Sequence, residues 1–525
     1  MNRLSSWLAL VWISVGPCQA ALAAGAPRPN IVFIMTDDHA AHAISAYGSK
    51  INQTPNLDQL GAEGMRFSNA FVTNSICTPS RAAVLTGKYS HRNGTPVFNV
   101  FDGSQPTVAK LLQAAGYHTV MIGKWHLGSD PTGFDSWNIL PGQGRYWDPI
   151  LYTREGARVY PGYATQVITD LGLEALKARP KDKPFFLMLH QKAPHREWQP
   201  DPVNEAKFRG VQVPEPPTLR DDYATRPAAL PENEQTVRRD LTRRDLKLEP
   251  PAGLSEAEQR KWLAVKPEVV EVEEDGVKRT LEGEALFRWK YQKYMRDYLA
   301  CVQGVDDEVG RLRRWLAQEG LAENTVVFYT TDNGFFLGDQ GLYDKRFMYE
   351  PSLRIPLLVS WPGVITPGSV TDRFALNVDY APTFLEMAGV PVPPDMQGRS
   401  LVPVLKGQPP GDWRQSMYYR YYHDPGHHNT RAHYGVRTRT HKLIHYWRKG
   451  AWELFDLEKD PGEQRNLYGQ PGTEALVDTL KTELARLRTE LQDEDQFAEG
   501  LPKDGVDGGV RKWQPGQGPN GPLKP

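Results

Sequence analysis

Cysteine is scarce in this chain: three residues, Cys18, Cys77 and Cys301, in 525. So few cannot staple a disulfide-dense scaffold. Charge of one sign is also lacking, since the formal net charge is -1, and the chain as a whole carries no electrostatic argument for nucleic-acid or anionic-membrane binding. Long hydrophobic runs are missing too. The apolar stretch Trp7 to Val15 is too short to span a bilayer and no internal repeat is present. That stretch follows Arg3 and precedes the small residues Ala20-Ala21-Leu22-Ala23-Ala24, an A-x-A pattern, so residues 1–24 read as a signal peptide and the product as exported, periplasmic or extracellular, with no membrane contact after cleavage. Pro17 weakens a lipid-anchored reading of Cys18. Cleavage leaves Cys77 and Cys301. Cys301 falls within a helical pattern and reads as buried packing, Cys77 within a motif with another use, and no disulfide is expected.

What is present is an ordinary globular composition, 40% hydrophobic and 24% charged, in a chain long enough for a large domain and a smaller one. Four apolar runs rich in β-branched residues each end in polar residues: Ile31 to Met35 before Asp37-Asp38-His39, Thr119 to Ile122 before Gly123-Lys124-Trp125-His126, Phe185 to Leu189 before Lys192-Ala193-Pro194-His195, and Thr325 to Tyr329 before Asp332-Asn333-Gly334. Such runs read as buried parallel strands. Helical patterns lie between them, at Thr54 to Glu63, Thr107 to Ala115 and Thr165 to Lys177. The alternation predicts an α/β fold, a large mainly parallel sheet flanked by helices over residues 27–407. Sites in open α/β sheets lie beyond the C-terminal strand ends, so one cleft accounts for all four polar clusters. Apolar residues from Tyr291 to Leu316 predict an amphipathic helix ending at Gly320. Residues 200–284, rich in proline and charge, read as an insertion without an assigned role, helical around Ser255 to Ala264. Residues 408–495 read as an α+β subdomain with short antiparallel strands and a helix from Thr473 to Leu491, and 496–525 as a disordered tail.

Cys77-Thr78-Pro79-Ser80-Arg81-Ala82-Ala83-Val84-Leu85-Thr86-Gly87 sets a cysteine at a helix start, with Pro79 in the first turn and Gly87 at the end. A helix N-terminus favours anions and lowers the pKa of a nearby nucleophile, and Arg81 adds fixed positive charge. This segment resembles the signature of the formylglycine-dependent (type I) sulfatases, C-x-P-S-R followed by T-G. The resemblance runs from Pro29 to about Leu467. It implies that Cys77 is oxidised to formylglycine by a maturing enzyme that reads Cys77, Pro79 and Arg81. It also implies that Asp37, Asp38, Asp332 and Asn333, with position 77, hold calcium, an all-oxygen set suited to a hard cation. Arg81, Lys124 and Lys345 match the family's sulfate-stabilising cations, and His126 and His195 its two histidines. The implied mechanism is attack on sulfur by one hydroxyl of the hydrated aldehyde, with His195, aided by Lys345, serving the departing alcohol. His126 then deprotonates the second hydroxyl, and sulfate is expelled.

Lys192 and His433 are candidate substrate contacts. The segments Lys192 to Trp198, Lys345 to Glu350 and Tyr418 to Thr438 resemble bacterial sulfatases grouped with N-acetylglucosamine-6-sulfatases. The expected substrate is therefore a sulfated carbohydrate, 6-O-sulfated N-acetylglucosamine of glycosaminoglycan or mucin glycans. Tyr418 to Tyr422 read either as sugar-stacking aromatics or as alternating strand residues, half of them core. Competing readings are a broad arylsulfatase, a phosphate or phosphonate ester hydrolase of the same superfamily, and a secreted glycan-binding protein with a dead site.

Overall fold

The computed structural model describes residues 28–274 and 276–506. The signal segment, Cys18 and the last part of the tail lie outside the described residues. The four apolar runs become the strands Asn30–Thr36, His118–Lys124, Phe185–His190 and Thr325–Thr331, buried along nearly their whole length. They are neighbours at the centre of a ten-stranded sheet, in the order Thr325–Thr331, Asn30–Thr36, Phe185–His190, His118–Lys124, all parallel. The register aligns their C-terminal ends: Thr36 pairs with Thr331, Met35 with His190, and Gly123 with His190. Gly123 is required there, because a Cβ would meet the His190 carbonyl oxygen at 2.0 Å. Antiparallel pairings occur only toward the two edges of this sheet, where Leu357–Ser360 joins one side and Ile150–Tyr152 the other.

One face of the sheet packs on the helix Gly283–Gln318, which starts earlier than its apolar pattern predicts. The other face is covered by Val108–Ala114 and Tyr380–Met387. Beyond lies a four-stranded antiparallel sheet, Ser416–Tyr421, His433–Thr438, His441–Tyr446 and Ala451–Asp456, backed by the helix Glu474–Glu490. Ile76 and Ala83 of the Cys77 segment share one buried cluster with Tyr419, Tyr421 and Val436 of that sheet, so the small subdomain braces the site. Tyr418, Tyr419 and Tyr421 are completely buried and Tyr422 nearly so: they stack on no sugar, and the strand reading is corrected in that every residue of Ser416–Tyr421 is buried rather than half of them. Cys77 and Cys301 are both free. No helix among the described residues is long and apolar enough to cross a membrane.

The expected tail is a correction. Up to residue 506 the chain is docked: Val506 is buried and hydrogen bonds from Gly505 and Val506 reach the carbonyl of Phe98. A single apolar anchor and main-chain pairing fix a segment whose glycine and proline content suggested none.

Candidate active site

The floor of the cleft is made where the central strands stop. Asp37 and Asp38 follow the first strand, Asp332 and Asn333 the last, Lys124 closes the second and His126 stands two residues beyond, and Lys192 and His195 follow the third. Cys77 is the first residue of the helix Cys77–Thr86, whose end is turned by Gly87 at φ 65°. Its Sγ lies 3.5 Å from Asp37 Oδ1 and 3.8 Å from Lys124 Nζ. Asp37, Asp38, Cys77 and His195 each bring one ligand atom within 4.8 Å of the others. Asp332 and Asn333 join through Asp38: Asp332 Oδ1 accepts from the Asp38 N–H at 3.3 Å, and Asn333 Nδ2 donates to Asp38 Oδ1 at 2.5 Å. Arg81 forks onto Asp332 Oδ2 with Nε at 3.0 Å and Nη2 at 2.7 Å, and its Nη1 donates to the Lys124 carbonyl at 2.5 Å. Lys124 donates to Asp37 and Lys345 to Asp38.

Three carboxylates and three cations thus share one buried volume. Burial would raise Asp37, but the charges of Lys124 and Arg81 beside it hold it well below the usual carboxylate range. Asp38 is raised by burial and by Asp37, and Asp332 is pushed to about 7 for the same two reasons. Protein cations alone therefore do not keep all three ionised. Asp38 Oδ2 and Asn333 Oδ1 are buried without a hydrogen-bond partner. Buried oxygen donors left unsatisfied and mutually repelling carboxylates are what a hard divalent cation relieves, so these residues fit calcium. The Cys77 thiol corrects an expectation: burial pushes its pKa up and outweighs the charges of Lys124 and Lys345. An unmodified cysteine here is a poor nucleophile, since the thiolate is the reactive form.

Comparison with known proteins decides what this floor belongs to. The Sulfatase family model matches residues 29–390, and that of the N-sulphoglucosamine sulphohydrolase C-terminal region matches 338–490. This chain belongs to the sulfatase family. It is a sulfuric ester hydrolase. A relative from Bacteroides thetaiotaomicron, an N-acetylglucosamine-6-O-sulfatase, is 45% identical over 489 residues, 89% of this chain and 88% of that one. Human N-acetylglucosamine-6-sulfatase is 28% identical, over 79% of this chain and 71% of its own. A solved structure of a protein in complex with its substrate D-glucosamine-2-N,6-O-disulfate aligns at a TM-score of 0.83 with 43% identity, covering 89% of this chain and 99% of that one.

The wall of this sulfatase cleft joins segments that carry the N-acetylglucosamine-6-sulfatase resemblance to Gln143, Tyr146 and the 200–284 insertion, to which the sequence assigned no role. A cavity of ≈ 500 Å³ beside the floor is lined by Gln143, Tyr146, Lys192, His195, Arg196 and Asp245, among others. Asp245 belongs to the 200–284 insertion and grips Arg196 at two points, 2.5 and 2.6 Å. The insertion also supports Lys345, whose carbonyl accepts from Gln235 Nε2 at 3.0 Å. Lys192, buried, holds its Nζ 4.7 Å from the centre of the Tyr146 ring, and burial with Lys124 nearby pulls its pKa to about 8. Next to Lys345, Asp344 Oδ2 lies 2.7 Å from Arg346 Nη1 and 2.9 Å from His428 Nε2, while Asp344 Oδ1 and Arg346 Nε lack hydrogen-bond partners. Asp38, His126, Asp344, Arg346 and His428 all have φ between 54° and 88°. Holding a residue other than glycine there costs on the order of 1–3 kcal/mol. Asp344, Arg346 and His428 flank or lie within segments already singled out; Gln143 and Asp245 carry no sequence signal.

His433 does not reach the cleft, and its expected substrate contact is corrected. It is completely buried, stacked between Phe347 and Tyr419. Its Nε2 accepts from the Met348 N–H at 3.1 Å and its Nδ1 faces the Arg431 carbonyl at 2.8 Å. Both ring nitrogens are satisfied inside the protein.

Proposed function

We propose that this sulfatase is an exported enzyme that uses formylglycine at position 77 and a calcium ion to remove the 6-O-sulfate from N-acetylglucosamine of glycosaminoglycan or mucin glycans. The observation that carries the reading of the chemistry is the position of Cys77, at a helix start between Asp37 and Lys124. The 45% identical relative supports the choice of sugar, and the N-terminal pattern supports export. When present, formylglycine supplies an oxygen nucleophile that a cysteine thiol does not, and calcium held by Asp37, Asp38, Asp332 and Asn333 supplies Lewis-acid stabilisation of sulfate charge.

The chain's own groups do the rest. Arg81, Lys124 and Lys345 offset only part of the charge of the three floor carboxylates, and a bound divalent cation would bring the floor to a net charge that attracts an anionic ester. Arg81 is fixed by its fork on Asp332, which makes it a preorganised rather than a mobile charge. Gln143 spans two roles: its Oε1 accepts from Lys124 Nζ at 2.6 Å, and its Nε2 faces His126 Nε2 at 3.3 Å. Thr78 donates to the His126 carbonyl at 2.8 Å and lies 3.4 Å from Nδ1. That arrangement suits a proton on Nδ1 and a lone pair on Nε2, so His126 accepts a proton at Nε2. His195 keeps Nδ1 on the Arg196 carbonyl at 2.5 Å and turns Nε2 toward Asp38 at 3.6 Å. Burial and Lys124 hold it neutral; an arriving anion raises its proton affinity, and Nε2 then serves the departing alcohol oxygen. Asp344, Arg346 and His428 offer charged and hydrogen-bonding groups for ring hydroxyls.

Cys77, Thr78, Pro79, Ser80 and Arg81 are all buried, so a maturing enzyme has to meet this motif before the chain folds. The test of function is sulfate release from a panel of defined sulfated mono- and disaccharides, run beside phosphate and aryl sulfate esters. Fastest turnover on 6-sulfated N-acetylglucosamine is expected; faster cleavage of a phosphate ester, or of aryl sulfates alone, would overturn the reading.

A further inference from the structure

Phe98 sits at the junction of floor and wall. Its ring lies 5.8 Å from that of His126 and stacks on His427 at 5.2 Å with 26° between the planes; His423 is 5.9 Å away. What holds Phe98 comes from the far end of the chain. Its N–H donates to Asp504 Oδ1 at 3.2 Å, and its carbonyl accepts from the N–H groups of Gly505 at 2.8 Å and Val506 at 3.1 Å. Asp504 Oδ1 also meets His423 Nε2 at 3.2 Å, and Val506 is buried in the same cluster as Phe98. Both main-chain polar groups of Phe98 are therefore satisfied by residues 504–506, and the same segment pins a second ring of the stack.

We propose that residues 501–506 form a strap that positions Phe98, and through it the Phe98–His427 stack, as the apolar wall against which the sugar ring rests beside Asp344, Arg346 and His428. A sugar ring presents C–H faces and a hydroxyl rim, so its site needs an apolar surface next to polar groups. The polar side is in place, with Asp344 Oδ1, 3.9 Å from Lys345 Nζ, and Arg346 Nε both lacking a hydrogen-bond partner. His427 suits the apolar side: burial and Arg346 pull its pKa to about 4, so it stacks as a neutral ring near neutral pH. The proposal rests on the sugar-sulfate reading. The strap residues are positioning residues, acting through Phe98.

The test compares the full chain with a chain ending at residue 499 and with Asp504→Ala, on whichever sulfated sugar the full chain cleaves fastest. KM is expected to rise about tenfold on truncation, the worth of one good ring contact, and about threefold in Asp504→Ala, with kcat within about twofold in both. A merely structural role would lower the folded fraction, hence the apparent kcat, and leave KM alone. Unchanged KM in the truncated chain overturns the proposal, and if that chain does not fold, unchanged KM in Asp504→Ala does so. Preference for a different sulfated sugar would sink the 6-O-sulfate reading yet leave this comparison intact; activity on aryl sulfates alone would sink both.

Discussion

Along the floor of the cleft, Asp37, Asp38, Lys124, His126, Lys192, His195, Asp332 and Asn333 all follow or close strands of one parallel sheet, within a few residues of the strand ends. Along the wall, Gln143, Arg196 and Asp245 line the cavity, Asp245 from inside the 200–284 insertion, and His428, from the short helix His427–Asn429, ties Arg196 to Asp344 at the end of the two-residue strand Tyr343–Asp344, with Arg346 just beyond. The floor is rigid by construction, because the strand register sets the spacing of its groups. The wall is rigid only through cross-loop pairs such as Arg196–Asp245 and Asp344–His428. Under the function proposed above, chemistry on sulfur belongs to the floor, and discrimination between alcohols to the wall. Floor changes should therefore act on kcat whatever the leaving group, and wall changes on KM for sugars in particular.

The largest break is at position 77. Cys77→Ser can accept sulfate but has no second hydroxyl with which to release it, so multiple turnover should fall by about 10³-fold or more while the fold is kept; steady-state assays with a thermal melt check both halves. Next, stripping the cation with a chelator should abolish most activity and lower the melting temperature, because Asp37, Asp38 and Asp332 are then left to repel one another. Re-addition of Ca2+ should restore both, and Asp332→Asn should lose the calcium-dependent part of the melting shift.

On the wall, Arg346→Ala should raise KM for the sugar sulfate about thirtyfold, about 2 kcal/mol for a charged hydrogen bond, with a much smaller change for an aryl sulfate. An equal loss on both substrates would erase the distinction between floor and wall. The smallest effect concerns Asp245. Burial alone would raise its carboxyl, but Arg196 and the Thr242 donors hold it below the usual value. A carboxyl depressed in the folded state contributes its full stability above the unfolded pKa of about 4, and that contribution is lost as pH falls through the folded value. Asp245→Asn should lower the melting temperature by a near-constant amount between about pH 5 and pH 7, and the gap should close below about pH 4.

The contrast between floor and wall also explains what was legible. Strand patterning marks where each apolar run stops, and the polar residues after it inherit their positions from the sheet; hence Asp37 and Asp332, with almost three hundred residues between them, could be assigned together. Asp245 could not, because nothing local in a proline- and charge-rich loop says that its carboxylate meets Arg196. His433 misled for a different reason: strand alternation turns it toward Phe347 and Tyr419 rather than toward the cleft. The Cys77 thiol misled because a helix start argues for a lowered pKa while burial, invisible to local sequence, dominates. The first part of the tail, up to residue 506, misled because one buried valine and two main-chain hydrogen bonds outweigh its flexible composition.

Mass spectrometry of the peptide carrying residue 77, taken from preparations that differ in specific activity, tests the central claim most directly. The account predicts an aldehyde in place of the thiol, with activity proportional to the fraction converted. A fully active preparation in which residue 77 is still an unmodified cysteine would contradict it.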